Sequence, residues 1–102
     1  MIPPAAVAGL SAILFAIGLY GVLARRNAVL ILLAIEVMLN AVALNFVGFG
    51  ARLPAQEPTG QVIAIFVICI AAAEVGLALA VLMRLHRNRG TVNVDEVDEL
   101  RW

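Results

Sequence analysis

The placement of the charged residues most constrains this chain, because it leaves three long apolar runs. The runs cover residues 5–24, 27–50 and 60–83. The first contains no charged side chain, the second contains only Glu36 and the third only Glu74. An α-helix needs about 20 apolar residues to cross a bilayer, and each run is at least that long. The chain is therefore predicted to be an all-α integral membrane protein with three transmembrane helices.

Composition agrees with a membrane protein and excludes several other classes. The chain is 64% hydrophobic and 14% charged, with a mean hydropathy of +1.04, whereas globular domains are about 45–50% apolar and about 25% charged. No basic face exists outside the short membrane flanks, so nucleic-acid binding is not expected. One cysteine and one histidine are too few for a self-contained four-ligand metal site or a disulfide framework.

The 102 residues are predicted to form a single membrane domain with a polar tail over residues 84–102. The basic pair Arg25–Arg26 follows the first apolar run, whereas in a signal peptide the basic residues precede it, so the first helix is expected to be retained. The loop Ala51–Thr59 contains two prolines, which separate the second and third helices.

The arginines of the short loops predict the orientation. With three spans, the first loop and the C-terminal tail share one side of the membrane. Arg52 is the only arginine on the other side. The shared side carries Arg25, Arg26, Arg84, Arg87, Arg89 and Arg101. The N-terminus is therefore predicted to lie outside and the tail in the cytoplasm. All the basic residues are arginine, which is typical of GC-rich bacterial genomes and favours a bacterial cell membrane, with the chain crossing it several times.

The two intramembrane glutamates are predicted to lie at similar depth. Glu36 is about nine residues from Asn27, and Glu74 is about ten residues from Arg84. At ~1.5 Å per residue, both carboxyls lie roughly 13–15 Å from the cytoplasmic boundary of a ~30 Å hydrocarbon core. A lateral proton path between the two helices requires such matching depths.

A glutamate at this depth must stay neutral or find a partner, because an acidic residue at a helix centre costs ~2.5–3.5 kcal/mol. A carboxyl that exchanges a proton under these conditions can serve in a proton relay. The alternative is a neutral hydrogen bond between helices. The sequence has no lysine, and its arginines lie outside the core. Any cationic partner must therefore come from another chain, which indicates a subunit of a larger assembly.

Asn40 lies one turn beyond Glu36 on the same face of the second helix. It is a candidate to hydrogen-bond the carboxyl or to hold water beside it, although simple packing is an equally good interpretation. Asn45 points to the opposite side of the helix and is expected to bond a neighbouring helix. Ser11 is expected to contribute to packing.

Two glutamate-centred segments resemble one known family. They are Ile35-Glu-Val-Met-Leu-Asn-Ala-Val-Ala-Leu-Asn45 on the second helix, and Gly60-Gln-Val-Ile-Ala-Ile-Phe-Val67 followed by Ala71-Ala-Ala-Glu-Val-Gly-Leu-Ala-Leu79 on the third. Both are similar to the K-type subunits of the proton-pumping NADH:quinone oxidoreductase, respiratory complex I. The chain length, the number of spans and the tail also look like that family.

The resemblance implies a translocase subunit of the membrane arm, without a complete active site of its own. Its partners would be the antiporter-like subunits and the quinone-module subunits. Glu36 and Glu74 would transfer protons, while Arg25 and Arg26 in the cytoplasmic loop would influence coupling, with Asn40 in support. The subunit would hold no cofactor, since FMN, iron–sulfur clusters, NADH and quinone belong to other subunits.

Three alternatives remain open from the sequence. The chain resembles, less closely, the small subunit of a multi-subunit cation/proton antiporter, and related membrane-bound hydrogenase complexes share this type of subunit. A purely structural adaptor is the third alternative, and it predicts that both glutamates tolerate replacement by glutamine.

Overall fold

The computed structural model describes residues 3–52, 54, 57–89 and 94. These residues contain three α-helices: α1 (Pro4–Ala24), α2 (Ala28–Gly50) and α3 (Thr59–Arg89). All three are long and apolar enough to span a membrane. The predicted all-helical architecture is therefore confirmed, with three helices of the length and composition that a membrane span requires.

The helix ends follow local backbone chemistry. Pro4 occupies the first turn of α1, where a missing N–H costs nothing. The α1–α2 connection is short because Asn27 caps α2 directly: its Oδ1 accepts a hydrogen bond of 2.9 Å from the backbone N–H of Val29. Before α3, the backbone N–H of Glu57 donates a hydrogen bond of 2.8 Å to the carbonyl of Pro54.

The third helix is longer than the predicted span. It continues from Met83 to Arg89, so the first part of the predicted polar tail is helical. No glycine or proline interrupts residues 84–89, and arginine and leucine favour helix. Within the rest of the tail the structure describes Val94 alone, and the acidic stretch after it lies outside the described residues.

The central helix α2 packs antiparallel against both α1 and α3. Glycines allow the close approach on each side. A Cβ on Gly18 of α1 would lie 2.8 Å from the carbonyl oxygen of Ala34, and a Cβ on Gly50 of α2 would lie 2.7 Å from the Cα of Gly60. Packing of small residues, rather than burial of large ones, brings membrane helices together.

The interior of this three-helix unit is thin. Within the described residues, the buried hydrophobic side chains are all alanines: Ala28, Ala41, Ala43, Ala64 and Ala71. Large aliphatic and aromatic side chains lie mostly on the outside. The unit therefore presents apolar surfaces to lipid and to other membrane proteins.

Candidate functional site

Glu36 and Glu74 lie at the same level of the helix pair. The backbones of Gly50 and Gly60 touch where α2 and α3 meet near the α2–α3 connection. Glu36 is fourteen residues from Gly50, and Glu74 is fourteen residues from Gly60. Each carboxylate is thus ~21 Å along its helix from a common contact. The packing of the two helices therefore agrees with the predicted match in depth.

Glu36 is half-buried, and its carboxyl group is incompletely paired. Its Oε2 atom is buried and accepts no hydrogen bond from the described part of the chain. A buried polar atom without a partner is unusual in a folded protein and marks a candidate functional group. In an apolar helix, this oxygen needs a proton, a water molecule or a donor from elsewhere.

Glu74 is exposed on the surface of the three-helix unit and lines a groove between α2 and α3. This α2–α3 groove has a volume of about 390 Å³. Its other lining residues are apolar: Ala28, Ile31, Leu32, Ile35, Leu77, Ala78, Val81 and Leu82. A carboxyl on such a surface would meet lipid unless another chain covered it. The exposure of Glu74 therefore agrees with the argument that this chain is one subunit among several.

Glu74 lines the α2–α3 groove, and Glu36 is not among its lining residues. The α2 wall of this groove consists of Ala28, Ile31, Leu32 and Ile35. Glu36 lies about 100° round α2 from Ile35 but only about 40° from Leu32, so it lies at the edge of this wall.

Of the three residues predicted to support the carboxyls, only Asn40 lies near one of them in the structure. Asn40 lies one turn from Glu36 and is exposed on the same flank of α2. Arg25 and Arg26 are also exposed but lie in the loop, beyond the end of α1. The backbone carbonyl of Arg26 accepts a hydrogen bond of 3.1 Å from Val94, which links this loop to the tail. Glu36 is eight residues into α2 from Ala28, or ~12 Å along the axis, so the structure separates the arginine loop from the carboxyl.

Three further polar side chains carry buried oxygens without a hydrogen-bond partner among the described residues: Ser11, Asn45 and Gln61. Asn45 was expected to bond a neighbouring helix, and Ser11 to pack. The interpretation of the sequence missed Gln61, although it is the polar residue directly after Gly60, at the point where α2 and α3 touch.

Comparison with known proteins places this chain in a family. A family model described as NADH-ubiquinone/plastoquinone oxidoreductase chain 4L matches residues 6–102. The chain belongs to this family. The members of this family are the membrane subunits called chain 4L or subunit K of NADH-quinone oxidoreductase, complex I. The family predicted from the two glutamate segments is therefore confirmed.

Individual relatives of the subunit K family agree. The chain is 52% identical over 88 residues to NADH-quinone oxidoreductase subunit K 2 of Streptomyces griseus, covering 86% of this chain and 60% of that relative. It is 50% identical over 96 residues to subunit K of Desulfitobacterium hafniense, covering 89% and 87%. It is 48% identical over 100 residues to subunit K of Bacillus anthracis, covering 98% and 96%. The chain thus spans less than two thirds of the Streptomyces relative and nearly all of the Bacillus one.

Proposed function

We propose that this chain is a non-redox subunit of the membrane arm of an NADH:quinone oxidoreductase and helps to couple quinone reduction to proton translocation. The observation that carries the proposal is the pair Glu36 and Glu74, which lie at one level on two neighbouring apolar helices. Family membership supports the assembly, and the carboxyl pair supports the proton-transfer role.

Protons would pass through the two carboxyls in turn. Glu36 has an unpaired buried oxygen that accepts a proton or a hydrogen bond, and Glu74 faces a groove that a neighbouring subunit would cover. A charged group or water brought to either site by a neighbour favours the ionised carboxylate, and its withdrawal favours the neutral acid. Quinone reduction elsewhere would thus move a proton by changing the surroundings of these side chains.

The redox groups are proposed to lie on other subunits. The single cysteine, Cys69, and the single histidine, His86, supply too few ligands for an iron–sulfur cluster.

The chain is proposed to lie in a bacterial cell membrane, with its N-terminus outside and its tail in the cytoplasm. The orientation follows from the arginines, because six of the seven flank the cytoplasmic side in that arrangement.

The replacements Glu36→Gln and Glu74→Gln test the proposal in the intact complex. Glutamine keeps the size and hydrogen-bonding capacity but cannot carry the proton. Inverted membrane vesicles are assayed for NADH oxidation by quinone and for the pH gradient, after a native gel has shown assembly. Both activities should fall about tenfold or more in each variant.

The matched control is Glu57→Gln, since Glu57 is exposed in the connection between α2 and α3. That variant should behave as the unmodified protein. If E36Q and E74Q both assemble and keep full oxidation and pumping, the proton-transfer role is wrong and the structural adaptor takes its place.

A further inference from the structure

A second groove lies between α1 and α2, well away from Glu74. It has a volume of about 440 Å³. Its walls are Ala8, Ser11, Ala12, Phe15, Ala16 and Leu19 on α1, and Ala41, Val42 and Asn45 on α2. We call it the α1–α2 groove.

Two polar side chains face each other across this groove. The antiparallel contacts of Val7 with Gly48 and of Gly18 with Met38 bracket Ser11 and Asn45. Ser11 is four residues after Val7, and Asn45 is three residues before Gly48, so the two side chains lie at one level. Both are also in the half of the helices nearer Pro4 and Gly50, away from the arginine loop.

The oxygens of both side chains are unpaired. Ser11 is only 2% exposed, yet its hydroxyl makes no hydrogen bond to any described residue. A serine within a helix commonly bonds the carbonyl three or four residues earlier, and Ser11 does not. The Oδ1 atom of Asn45 is also buried without a partner. In an apolar environment such groups need an external hydrogen-bonding partner.

The shape of the groove favours a helix over lipid or water. Ala8, Ala12 and Ala16 recur every fourth residue along α1, and such small residues let another helix approach closely. Acyl chains contain no hydrogen-bond donor and leave both oxygens unpaired. A water molecule would find only Ser11 and Asn45 as polar side chains in this groove, whereas a buried water typically makes about three hydrogen bonds.

We propose that the α1–α2 groove is the docking site of a transmembrane helix from another subunit, which places a hydrogen-bond donor between Ser11 and Asn45. The donor would be a side chain such as serine, threonine, asparagine or glutamine. It would donate to Oδ1 of Asn45 and accept from, or donate to, the Ser11 hydroxyl. The inference needs assembly with other subunits but does not depend on proton transfer by the glutamates.

Photo-crosslinking in the intact complex tests the occupant. Phe15, on the wall of the groove, is replaced by the photoreactive p-benzoylphenylalanine, and Tyr20 is replaced likewise as a control. Tyr20 is another α1 aromatic and is 71% exposed. It lies outside the lining of the groove. Illumination should join position 15 to a membrane-spanning peptide of another subunit, and mass spectrometry should find a hydrogen-bonding residue within about one turn of the linkage.

Substitutions provide an independent measurement. Ala12→Leu fills the groove, whereas Ala6→Leu adds the same bulk to an exposed alanine outside it. The A12L variant should lower the fraction of chain found in the complex on a native gel several-fold, and A6L should not. Ser11→Ala should weaken association by about three- to thirtyfold, the range of one interhelical hydrogen bond, and Ser11→Thr should restore it.

The proposal would be overturned by lipid adducts alone at position 15, or by a linked helix without a polar residue near the linkage. Normal assembly of both A12L and S11A would overturn it as well. Loss of pumping in E36Q with normal assembly leaves this docking site unaffected, so failures of the two proposals are distinguishable.

Discussion

At the scale of single residues, the polar side chains of this chain divide into those that the fold satisfies and those that it leaves for another chain. Asn27 is satisfied within the fold, since it caps α2. Glu36, Ser11 and Asn45 each keep a buried oxygen without a partner in the described part of the molecule. These unpaired residues include Glu36, one of the two carboxyls to which we assign proton transfer, and both polar residues of the proposed docking site.

The cap at Asn27 gives a prediction for one residue. Asn27→Ala removes the acceptor for the Val29 N–H and should destabilise the start of α2 by about 0.5–2 kcal/mol, whereas Asn27→Asp keeps an acceptor and should cost less. The measurement is the temperature at which half of the subunit leaves the purified complex in detergent. An unchanged temperature in N27A would show that the cap contributes nothing to stability.

At the scale of helices, contact between glycines determines how α3 meets α2. A Cβ on Gly60 would collide with the backbone of Gly50 and with the carbonyl oxygen of Phe46. Neither obstacle is the end of a flexible side chain, so the helices must move apart. By contrast, a Cβ on Gly76 of the same helix meets nothing within 4 Å.

This contrast predicts opposite effects of one substitution in two places. Replacing a helical glycine by alanine gains up to about 1 kcal/mol in helix propensity, but overpacking costs about 1–3 kcal/mol. Gly60→Ala should therefore destabilise the subunit, and Gly76→Ala should be neutral or stabilising. Subunit retention after heating, followed on native gels, compares them. Equal retention of the two variants would contradict the close contact at Gly60.

At the scale of the whole molecule, the chain has an apolar outer surface and little interior. Leu23 and Leu77 are 77% and 69% exposed, whereas the buried hydrophobic residues of the described chain are alanines. A unit of this kind is suited to a bilayer and to contact with other membrane helices. Two grooves, one containing Glu74 and one containing Ser11 and Asn45, lie on this surface.

The arginine asymmetry gives a prediction for the whole molecule. Green fluorescent protein fused after Trp102 should fluoresce, because the tail is proposed to be cytoplasmic. Alkaline phosphatase fused after Trp102 should be inactive, because the enzyme would lie in the cytoplasm. The same enzyme fused to a chain truncated after Arg52 should be active, because it would lie outside. The reverse pattern of activities would show that the proposed orientation is wrong.

The three helices, their approximate ends and the family could all be predicted from the sequence. Runs of apolar residues as long as a bilayer is thick leave the backbone no alternative but to satisfy its own hydrogen bonds as helix. The matching depth of Glu36 and Glu74 also followed from counting residues, since the rise of a helix is constant. The continuation of α3 to Arg89 was missed because hydropathy marks the limit of an apolar run, and a helix can continue into water.

The three-dimensional packing was needed to show which residues line each groove and which polar groups keep an unpaired oxygen. Those properties depend on the rotation of each helix about its axis and on which glycines touch. Hydropathy carries little information about rotation here, because all sides of these helices are apolar. Contacts such as Gly50 with Gly60 and Gly18 with Ala34 set that rotation. These contacts leave Glu74 exposed on the α2–α3 groove and bring Ser11 and Asn45 together in the α1–α2 groove.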